Sequence, residues 1–453
     1  MAKIEGCMAQ NRQSRIVNNI VSPYGLAMIS YAFFLFSCLI PPSVYTLYMN
    51  EPDLMFLDPA TILFYTTCVA SFVAGVWLVS CLFPSQFLKR RLETRTPPVL
   101  FLLAPLILGI GITSVSMFLL LKQVPTLFLL VLSQKGGDVK EALAFEVEGR
   151  FTFAPLLLTA ICWWAFSRYF DLDIAGWKKR GVAFFLVIGV LTVVAASVLM
   201  MSRNLLMPAA CGMTILYALH HRSKQPASLK FLLKGTLNVV LSVSLIFFAF
   251  SFLRGTDNWN DQVHGLLGYT AASYNRLAAV VNGRLHYPFA GSGAYLSSVA
   301  AHTRLLPFAK IFTPPDALAI WGSEFGAVSQ AGLDGNLIWS GAFGYIFSDL
   351  GWFSLPFVFG YGLLYGVVWN WCKCGRACGI VLYPWFGFCI LFWLGTNYLL
   401  DAPAEIMLVS AFLLTGYEYV FLKRSARYVN PIRIGDEKEL DILPRQFPSR
   451  SNG

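Results

Sequence analysis

The chain has 453 residues, of which 57% are hydrophobic and only 13% are charged, and its mean hydropathy is +0.61. This composition excludes a water-soluble globular domain and is typical of a protein embedded in a membrane. Its 34 Lys and Arg outnumber its 24 Asp and Glu, which gives a net charge of +10. Basic loops on one side of a membrane account for that excess without a nucleic-acid partner.

Ten apolar runs follow one another along the chain, and most have the length of about 20 residues that a helix needs to cross the hydrocarbon layer. Alternation of period two is absent from them, so they predict helices rather than the strands of a membrane β-barrel. The runs are Gly25–Met49, Thr61–Phe83, Val99–Leu121, Phe151–Phe170, Gly181–Met201, Leu205–Leu219, Phe231–Leu253, Gly351–Trp371, Ile380–Leu400 and Glu405–Leu422. The sequence therefore predicts an all-α polytopic membrane protein with about ten transmembrane helices.

The basic residues also predict an orientation. Most of the 34 Lys and Arg fall in segments that are cytoplasmic if the N-terminus is cytoplasmic, whereas the inverted orientation would place the basic clusters outside. We therefore expect both termini in the cytoplasm of a bacterium and the longest loop in the periplasm, beside the inner (plasma) membrane. The predicted organisation is a tail over residues 1–24, seven helices over 25–253 with an outer loop at 123–150, a large periplasmic loop over 254–350, three helices over 351–422 and a tail over 423–453.

The large loop is rich in aromatic and aliphatic residues, so we expect it to fold onto the helical bundle. Within it, the stretch SYNRLAAVVNGRLHY, Ser273–Tyr287, predicts a short helix on the outer surface, with its Leu and Val face packed on the bundle or in the interfacial layer. Gly283 is expected to end that helix, because glycine adopts the left-handed conformation that commonly follows a helix. Arg284 and His286 would then be free to approach a substrate.

Basic side chains recur on the predicted outer face although the chain has few charges. An Arg guanidinium binds phosphate oxygens through two parallel hydrogen bonds and keeps its charge, and a His accepts a proton near neutral pH. Taken singly, each Arg has the alternative role of an anchor in the membrane interface, and each His that of a structural residue. Together they predict a phosphate-binding site that contains Arg203, Arg254, Arg276 and Arg284 with His286 and His302.

The stretch DGNLIWSGAFGYIFSDLGWFSLPFVFGYGLLYGVVW, Asp334–Trp369, joins an Asn, a run of aromatic residues and an Asp-x-Gly motif to a Gly-rich apolar run. This pattern resembles that of Wzy-type oligosaccharide repeat-unit polymerases, the O-antigen/polysaccharide polymerase family. In that family the Asp and Gly, here Asp349 and Gly351, open the helix that follows the large periplasmic loop. The resemblance extends to Arg203 at a hairpin tip and to the layout of the helices, so it covers most of the chain.

The resemblance implies a glycosyltransferase with a GT-C-like helical bundle. Such an enzyme takes a glycan chain from undecaprenyl diphosphate and transfers it as a block to the terminal sugar of another lipid-linked repeat unit. The four arginines would bind the diphosphate, and the catalytic candidates would be His286, His302 and Asp349. No metal or cofactor is required, because fixed cations stabilise the leaving diphosphate. Five aromatic residues of the large loop are candidates to stack on sugar rings, with packing as the alternative role of each: Tyr269, Tyr274, Tyr287, Trp321 and Trp339.

The partners that this function implies are the lipid-linked glycans and membrane lipids, with a chain-length regulator and a flippase as further candidates. Three alternatives remain open. An O-antigen ligase uses the same kind of lipid donor, and a polyprenyl-phosphate-dependent GT-C glycosyltransferase carries acidic residues in its first outer loop, where this chain has Glu51, Asp53 and Asp58. The third alternative is a transporter of lipid-linked glycans, although few charged residues lie within the predicted spans, where ion-coupled transporters carry them.

Overall fold

The computed structural model describes residues 20–83, 99–133, 139, 143, 151, 153–171, 176–221, 258–293, 295 and 317–427. Every regular element within these ranges is helical. In chain order the α-helices are α1 (Pro23–Cys38), α2 (Pro42–Met49), α3 (Pro59–Leu82), α4 (Val99–Gln123), α5 (Leu127–Leu132), α6 (Phe153–Asp171), α7 (Gly176–Leu199), α8 (Arg203–His221), α9 (Trp259–Gly268), α10 (Ala271–Val281), α11 (Ala317–Gln330), α12 (Gly341–Leu350), α13 (Ser354–Lys373), α14 (Ala377–Leu391) and α15 (Ala402–Arg427).

Five helical stretches in the described residues are long and apolar enough to cross a membrane, namely Pro59–Leu82, Val99–Gln123, Gly176–Leu199, Gly341–Lys373 and Pro403–Phe421. A sixth results if α1 and α2, which meet at an angle of 90°, form one broken span. This is the architecture of a polytopic helical membrane protein. The helices α6, α8 and α14 coincide with predicted runs but fall short of the same criteria, and the run Phe231–Leu253 lies outside the described residues, so the number ten stays a prediction.

The surface of the bundle is apolar along its long helices. Leu108 and Phe118 of α4 are 64% and 67% exposed, and Phe184 of α7 is 61% exposed. A water-soluble monomer rarely exposes large apolar patches. These side chains are therefore suited to contact lipid hydrocarbon.

Two glycines bring α3 and α13 into close contact. A Cβ atom at Gly362 would lie 2.1 Å from the carbonyl oxygen of Phe72, and one at Gly75 would lie 2.3 Å from the carbonyl oxygen of Phe359. Small residues permit such an approach of two backbones, which is the usual basis of helix packing within membranes. The pair α3–α13 thus forms a rigid support for the elements at its ends.

The shorter helices gather at one end of the bundle, which we call the loop face. It comprises α2, residues 50–58 and the helices α9 to α12. The helix expected in the Ser273–Tyr287 stretch is α10, and it ends at Val281 before Gly283, whose φ is +67°, as predicted. The helix is covered on more than the expected Leu and Val face, because α10 is buried from Ala271 to Val280 by contacts with α1, α3, α9 and α12.

The opposite end of the bundle contains a partly buried ion pair. Arg168 of α6 donates from Nε and Nη2 to the two carboxylate oxygens of Glu418 in α15, at 2.6 and 2.9 Å. The indole of Trp164 donates to the same carboxylate at 2.7 Å, and Arg168 also donates to the carbonyl of Gly375 at 2.8 Å. This network joins α6, α15 and the turn between α13 and α14.

Candidate functional site

The loop face is organised around the segment Asp334–Trp339, which connects α11 to α12 without forming a helix. This segment begins the stretch that carries the family resemblance. Arg276 of α10 donates hydrogen bonds to the carbonyl oxygens of Asp334, at 2.8 Å, and of Leu337. Tyr287 donates to the carbonyl of Ile338 at 2.5 Å. Two side chains from an earlier part of the large loop, Arg276 and Tyr287, therefore hold this segment in place.

Arg276 forms a buried ion pair with Glu51 of the first loop. Its Nη1 and Nη2 atoms lie 3.0 and 2.9 Å from the two carboxylate oxygens, and the two side chains are 0% and 1% exposed. Asn275 and the backbone N–H of Asp334 donate to the same carboxylate at 3.1 and 2.7 Å, and Tyr45 also donates to it. The charge of Arg276 is thus compensated inside the protein.

This pairing changes how the predicted phosphate role of Arg276 can be interpreted. The bidentate geometry expected for a phosphate is present, but the two oxygens that occupy it belong to Glu51. A ligand would have to displace a buried carboxylate in order to reach the guanidinium. In this arrangement Arg276 positions the Asp334–Trp339 segment, and its contact with a phosphate stays a prediction.

The other acidic residues of the first loop are also held by the protein. Asp58 caps α3 by accepting from the backbone N–H of Thr61 at 3.0 Å, and Asn282 donates to it at 2.8 Å. One carboxylate oxygen of Asp53 accepts from the backbone N–H groups of Met55 and Phe56 at 3.0 Å. These contacts fold the first loop against α10. Within the described residues, no three His, Cys, Asp or Glu side chains cluster as the ligands of a metal would.

Arg203 lies at the tip between α7 and α8, as the sequence predicted, and it is the first residue of α8. Only 8% of it is exposed, and its guanidinium carbon lies 5.0 Å from the centre of the Tyr269 ring. The ring of Tyr269 lies 5.3 Å from that of Trp339, and both aromatic residues are half-buried. We call these three residues the Arg203 cluster.

The Arg203 cluster combines three features that suit an anionic, sugar-bearing ligand. The guanidinium provides a fixed positive charge, and the first turn of α8 adds the N–H groups and partial positive charge of a helix N-terminus. The two partly exposed aromatic rings offer apolar faces for a sugar ring.

His264 was missed by the sequence analysis. Its Nδ1 atom lies 3.0 Å from the carbonyl oxygen of Tyr48, and its Nε2 atom lies 3.4 Å from a carboxylate oxygen of Asp334. A backbone carbonyl only accepts, so Nδ1 carries the hydrogen in the contact with Tyr48. This histidine joins α2, α9 and the Asp334–Trp339 segment, and its side chain is 39% exposed.

Exposed and buried side chains alternate after α10: Arg284 and His286 are exposed, and each is followed by a buried residue, Leu285 and Tyr287. The alternation places both predicted site residues on the solvent side of the loop face, where they are free to meet a ligand. The structure does not describe Arg254 or His302, so their predicted roles are untested.

Asp349 holds the loop that follows Tyr287. Its two carboxylate oxygens accept hydrogen bonds from the backbone N–H groups of Gly291, at 3.0 Å, and of Tyr295, at 2.7 Å. Gly291 has a φ of +85°, which favours glycine. These two hydrogen bonds give Asp349 a positioning role in this loop, and its catalytic role stays a prediction.

Three tyrosines form a second cluster, which we call the tyrosine cluster. The rings of Tyr287, Tyr295 and Tyr345 lie 5.3 to 5.7 Å apart and are buried together with Val328 of α11. Burial raises the pKa of the Tyr287 and Tyr295 phenols, and the nearby charge of Glu324 raises them further. Glu324, one turn before Val328, is only 2% exposed.

Glu324 is the most unusual acid of the loop face. Its Oε1 atom is buried and has no hydrogen-bond partner, and burial raises the pKa of the carboxyl from 4.5 to about 8. The sequence contains a weak signal for it, since Glu324 is the lone acid in the apolar segment LAIWGSEFGAV.

Comparisons of the chain with protein-family models, curated proteins and solved structures found no match.

Proposed function

We propose that this protein is a glycosyltransferase that polymerises undecaprenyl-diphosphate-linked oligosaccharide repeat units at the outer face of a bacterial inner membrane. The observation that carries the proposal is the Arg203 cluster, which brings a buried cation and two partly exposed aromatic rings together at the loop face of an apolar bundle. A lipid-linked glycan has the complementary parts: a hydrocarbon chain, a diphosphate and sugar rings.

The reaction is a displacement at the anomeric carbon of the growing glycan. A hydroxyl oxygen of the acceptor sugar forms the new bond to that carbon, and the bond from carbon to the diphosphate oxygen breaks. The electron pair of the broken bond leaves with undecaprenyl diphosphate, and the hydroxyl proton passes to a base. Fixed cations stabilise the charge that develops on the leaving group, which is where a preorganised site contributes most to the rate.

The geometry suggests a division of roles among the arginines. Arg203 binds the diphosphate next to its aromatic neighbours, and the exposed Arg284 assists from the solvent side. Arg276 supports both indirectly, because it orders the Asp334–Trp339 segment that carries Trp339. Arg254, His286 and His302 keep the roles that the resemblance implies.

The proposed topology has ten transmembrane helices, both termini in the cytoplasm and the loop face in the periplasm. The distribution of basic residues supports it, as does the direction of the helices, since α3, α8 and α13 all begin at the loop face. Reporters fused after Arg284 and after Arg91 test this orientation, because only the first should be active as a periplasmic enzyme.

The function is tested in a strain that lacks the gene. Loss of the long glycan ladder with retention of single repeat units on the surface is expected, and plasmid-borne wild-type protein should restore the ladder. A normal ladder would rule out a polymerase, whereas loss of even the single repeat would indicate a ligase or a transporter. Purified protein that loses activity in chelator would instead favour the polyprenyl-phosphate-dependent class.

The role of the Arg203 cluster is tested in the same strain with Arg203→Lys. Lys keeps the charge but cannot form two parallel hydrogen bonds to a phosphate, so we expect the long ladder to be lost while the protein remains in the membrane. Arg180→Lys, at an exposed position at the other end of α7, is the matched control and should leave the ladder unchanged. A full ladder from Arg203→Lys at equal protein abundance would contradict the assignment.

A further inference from the structure

Glu324 lies near the tyrosine cluster, and one of its carboxylate oxygens accepts no hydrogen bond. The charge of Glu324 is near enough to raise the pKa of the Tyr287 and Tyr295 phenols. The three hydroxyls of the cluster donate elsewhere: Tyr287 and Tyr345 to the carbonyl of Ile338, and Tyr295 to the carbonyl of Pro288. The Oε1 atom of Glu324 is left with no partner although it is buried.

A buried carboxylate oxygen without a partner is costly, because it has lost its hydration and gained no hydrogen bond in return. Glu51 differs from Glu324, since donors surround both of its carboxylate oxygens. Asp53 also has one buried oxygen without a partner, but its other oxygen accepts from two backbone N–H groups. Buried polar atoms that stay unpaired in a folded protein commonly serve a ligand, a water molecule or a reaction. The missing donor at Glu324 is a group such as a hydroxyl.

We propose that Glu324 is the base that accepts the proton of the attacking sugar hydroxyl, an inference that rests on the proposed function. The hydroxyl hydrogen-bonds to Oε1 and transfers its proton there as its oxygen bonds to the anomeric carbon. The bond from that carbon to the diphosphate breaks, and the diphosphate leaves with the electron pair. Glu324 later releases the proton to water, so that no oxidant, reductant or metal takes part.

The position of Glu324 suits this role in two ways. A carboxyl whose pKa is raised to about 8 by burial is a stronger base than an ordinary one and still ionises near the working pH. Its helix, α11, is followed by the Asp334–Trp339 segment, which reaches the Arg203 cluster at Trp339. The same short segment thus connects the proposed base to the proposed diphosphate site. Because Glu324 is only 2% exposed, the acceptor must displace part of the tyrosine cluster on binding.

The first test measures polymerisation by purified protein in detergent or liposomes with lipid-linked repeat units. Wild-type activity should rise with pH and level off above about pH 8. Glu324→Gln keeps the shape but cannot accept the proton, so its rate should fall by about 100-fold or more at every pH. Asp261→Asn, which removes an exposed acid of α9, is the control and should keep the wild-type rate and pH profile.

The second test requires no turnover. An apolar carbodiimide reacts with protonated carboxyls in apolar surroundings, so it should label Glu324 at pH 7 in the wild type, as located by mass spectrometry. Labelling should decrease as the pH rises through about 8, and it should be slowed by added lipid-linked repeat units. Absence of labelling at pH 7, or labelling that these units do not slow, would refute the proposed contact.

The outcomes separate the two proposals. Wild-type protein that forms no polymer from lipid-linked repeat units would refute the proposed function, and the role of Glu324 with it. Wild-type protein that polymerises while Glu324→Gln matches its rate and pH profile would refute only the role of Glu324. In that case a buried water molecule would be the donor that Glu324 lacks.

Discussion

Replacing Glu51 by Gln removes the negative charge from a pair whose two side chains are 0% and 1% exposed. Gln has nearly the volume of Glu, so the change opens no cavity. Arg276 keeps its hydrogen bonds to the carbonyl oxygens of Ala272, Asp334 and Leu337 but loses its counter-charge. Removal of one partner from a buried ion pair costs about 3–5 kcal/mol, chiefly because the other charge remains buried and uncompensated.

We therefore expect Glu51→Gln to lower the free energy of unfolding by about 3–5 kcal/mol. The assay is equilibrium unfolding of the purified protein in mild detergent, followed by tryptophan fluorescence, with protein abundance in membranes as a second measurement. Asp261→Asn, which also replaces an acid by its amide but at an exposed position, is the control for the loss of charge alone.

A double-mutant cycle identifies the pair as the cause. Arg276→Met alone leaves Glu51 buried without its counter-charge, whereas the double variant contains neither charge. The double variant should be more stable than the sum of the two single effects predicts, by about 2 kcal/mol. A loss below about 1 kcal/mol for Glu51→Gln, or strictly additive effects, would refute the argument that this pair holds the loop face together.

The remaining predictions concern packing and pH. Gly362→Ala places a methyl group 2.1 Å from the carbonyl oxygen of Phe72 and should lower the free energy of unfolding by about 1–3 kcal/mol. The control is Gly360→Ala, which has open space at its Cβ position and should cost little. Equal losses in the two variants would show that the α3–α13 contact is not tight. Glu324 has a raised pKa in the folded protein, so its contribution to stability is present below pH 4.5 and is lost as the pH rises to about 8. At about 1.4 kcal/mol per pKa unit this loss amounts to roughly 3–5 kcal/mol. Glu324→Gln should lose less stability than the wild type between pH 5 and pH 8.5, and identical pH dependence would show that Glu324 is not buried in its neutral form.

The buried ion pair between Glu51 and Arg276 also affects how arginine substitutions are interpreted. Arg276→Lys retains a charge but loses several of the hydrogen bonds to Glu51 and to the carbonyls of Asp334 and Leu337. Loss of activity in that variant would therefore follow from disorder of the Asp334–Trp339 segment alone. Arg203 and Arg284 are the positions at which replacement by Lys reports on phosphate recognition.

Local features of the loop face followed from the sequence. The helix that ends before Gly283 was predicted because its end depends on residues close together in the chain. The position of Arg203 at a hairpin tip was predicted for the same reason, since an apolar run lies on each side of it. The chain also exposes long apolar helices, as its composition requires.

Long-range pairing did not follow from the sequence. Arg276 was expected to face a ligand because nothing in the stretch SYNRLAAVVNGRLHY contains its counter-charge, which lies 225 residues earlier. The burial of α10 was missed for a related reason, since the contacts that cover it come from helices far away in the chain. Glu324 was overlooked because an acid in a short helix is usually solvated, and only the surrounding tyrosines reveal that this one is not.

The separation between Glu51 and Arg276 has a consequence for the order of assembly during synthesis. At about 5–20 residues per second, roughly 10–45 s pass between the emergence of the first loop and that of α10. During that interval Glu51 lacks its counter-charge, and α1 and α3 have no α10 to pack against at the loop face. The loop face is therefore completed late, because α1 and α3 are synthesised well before α10, which packs against both of them.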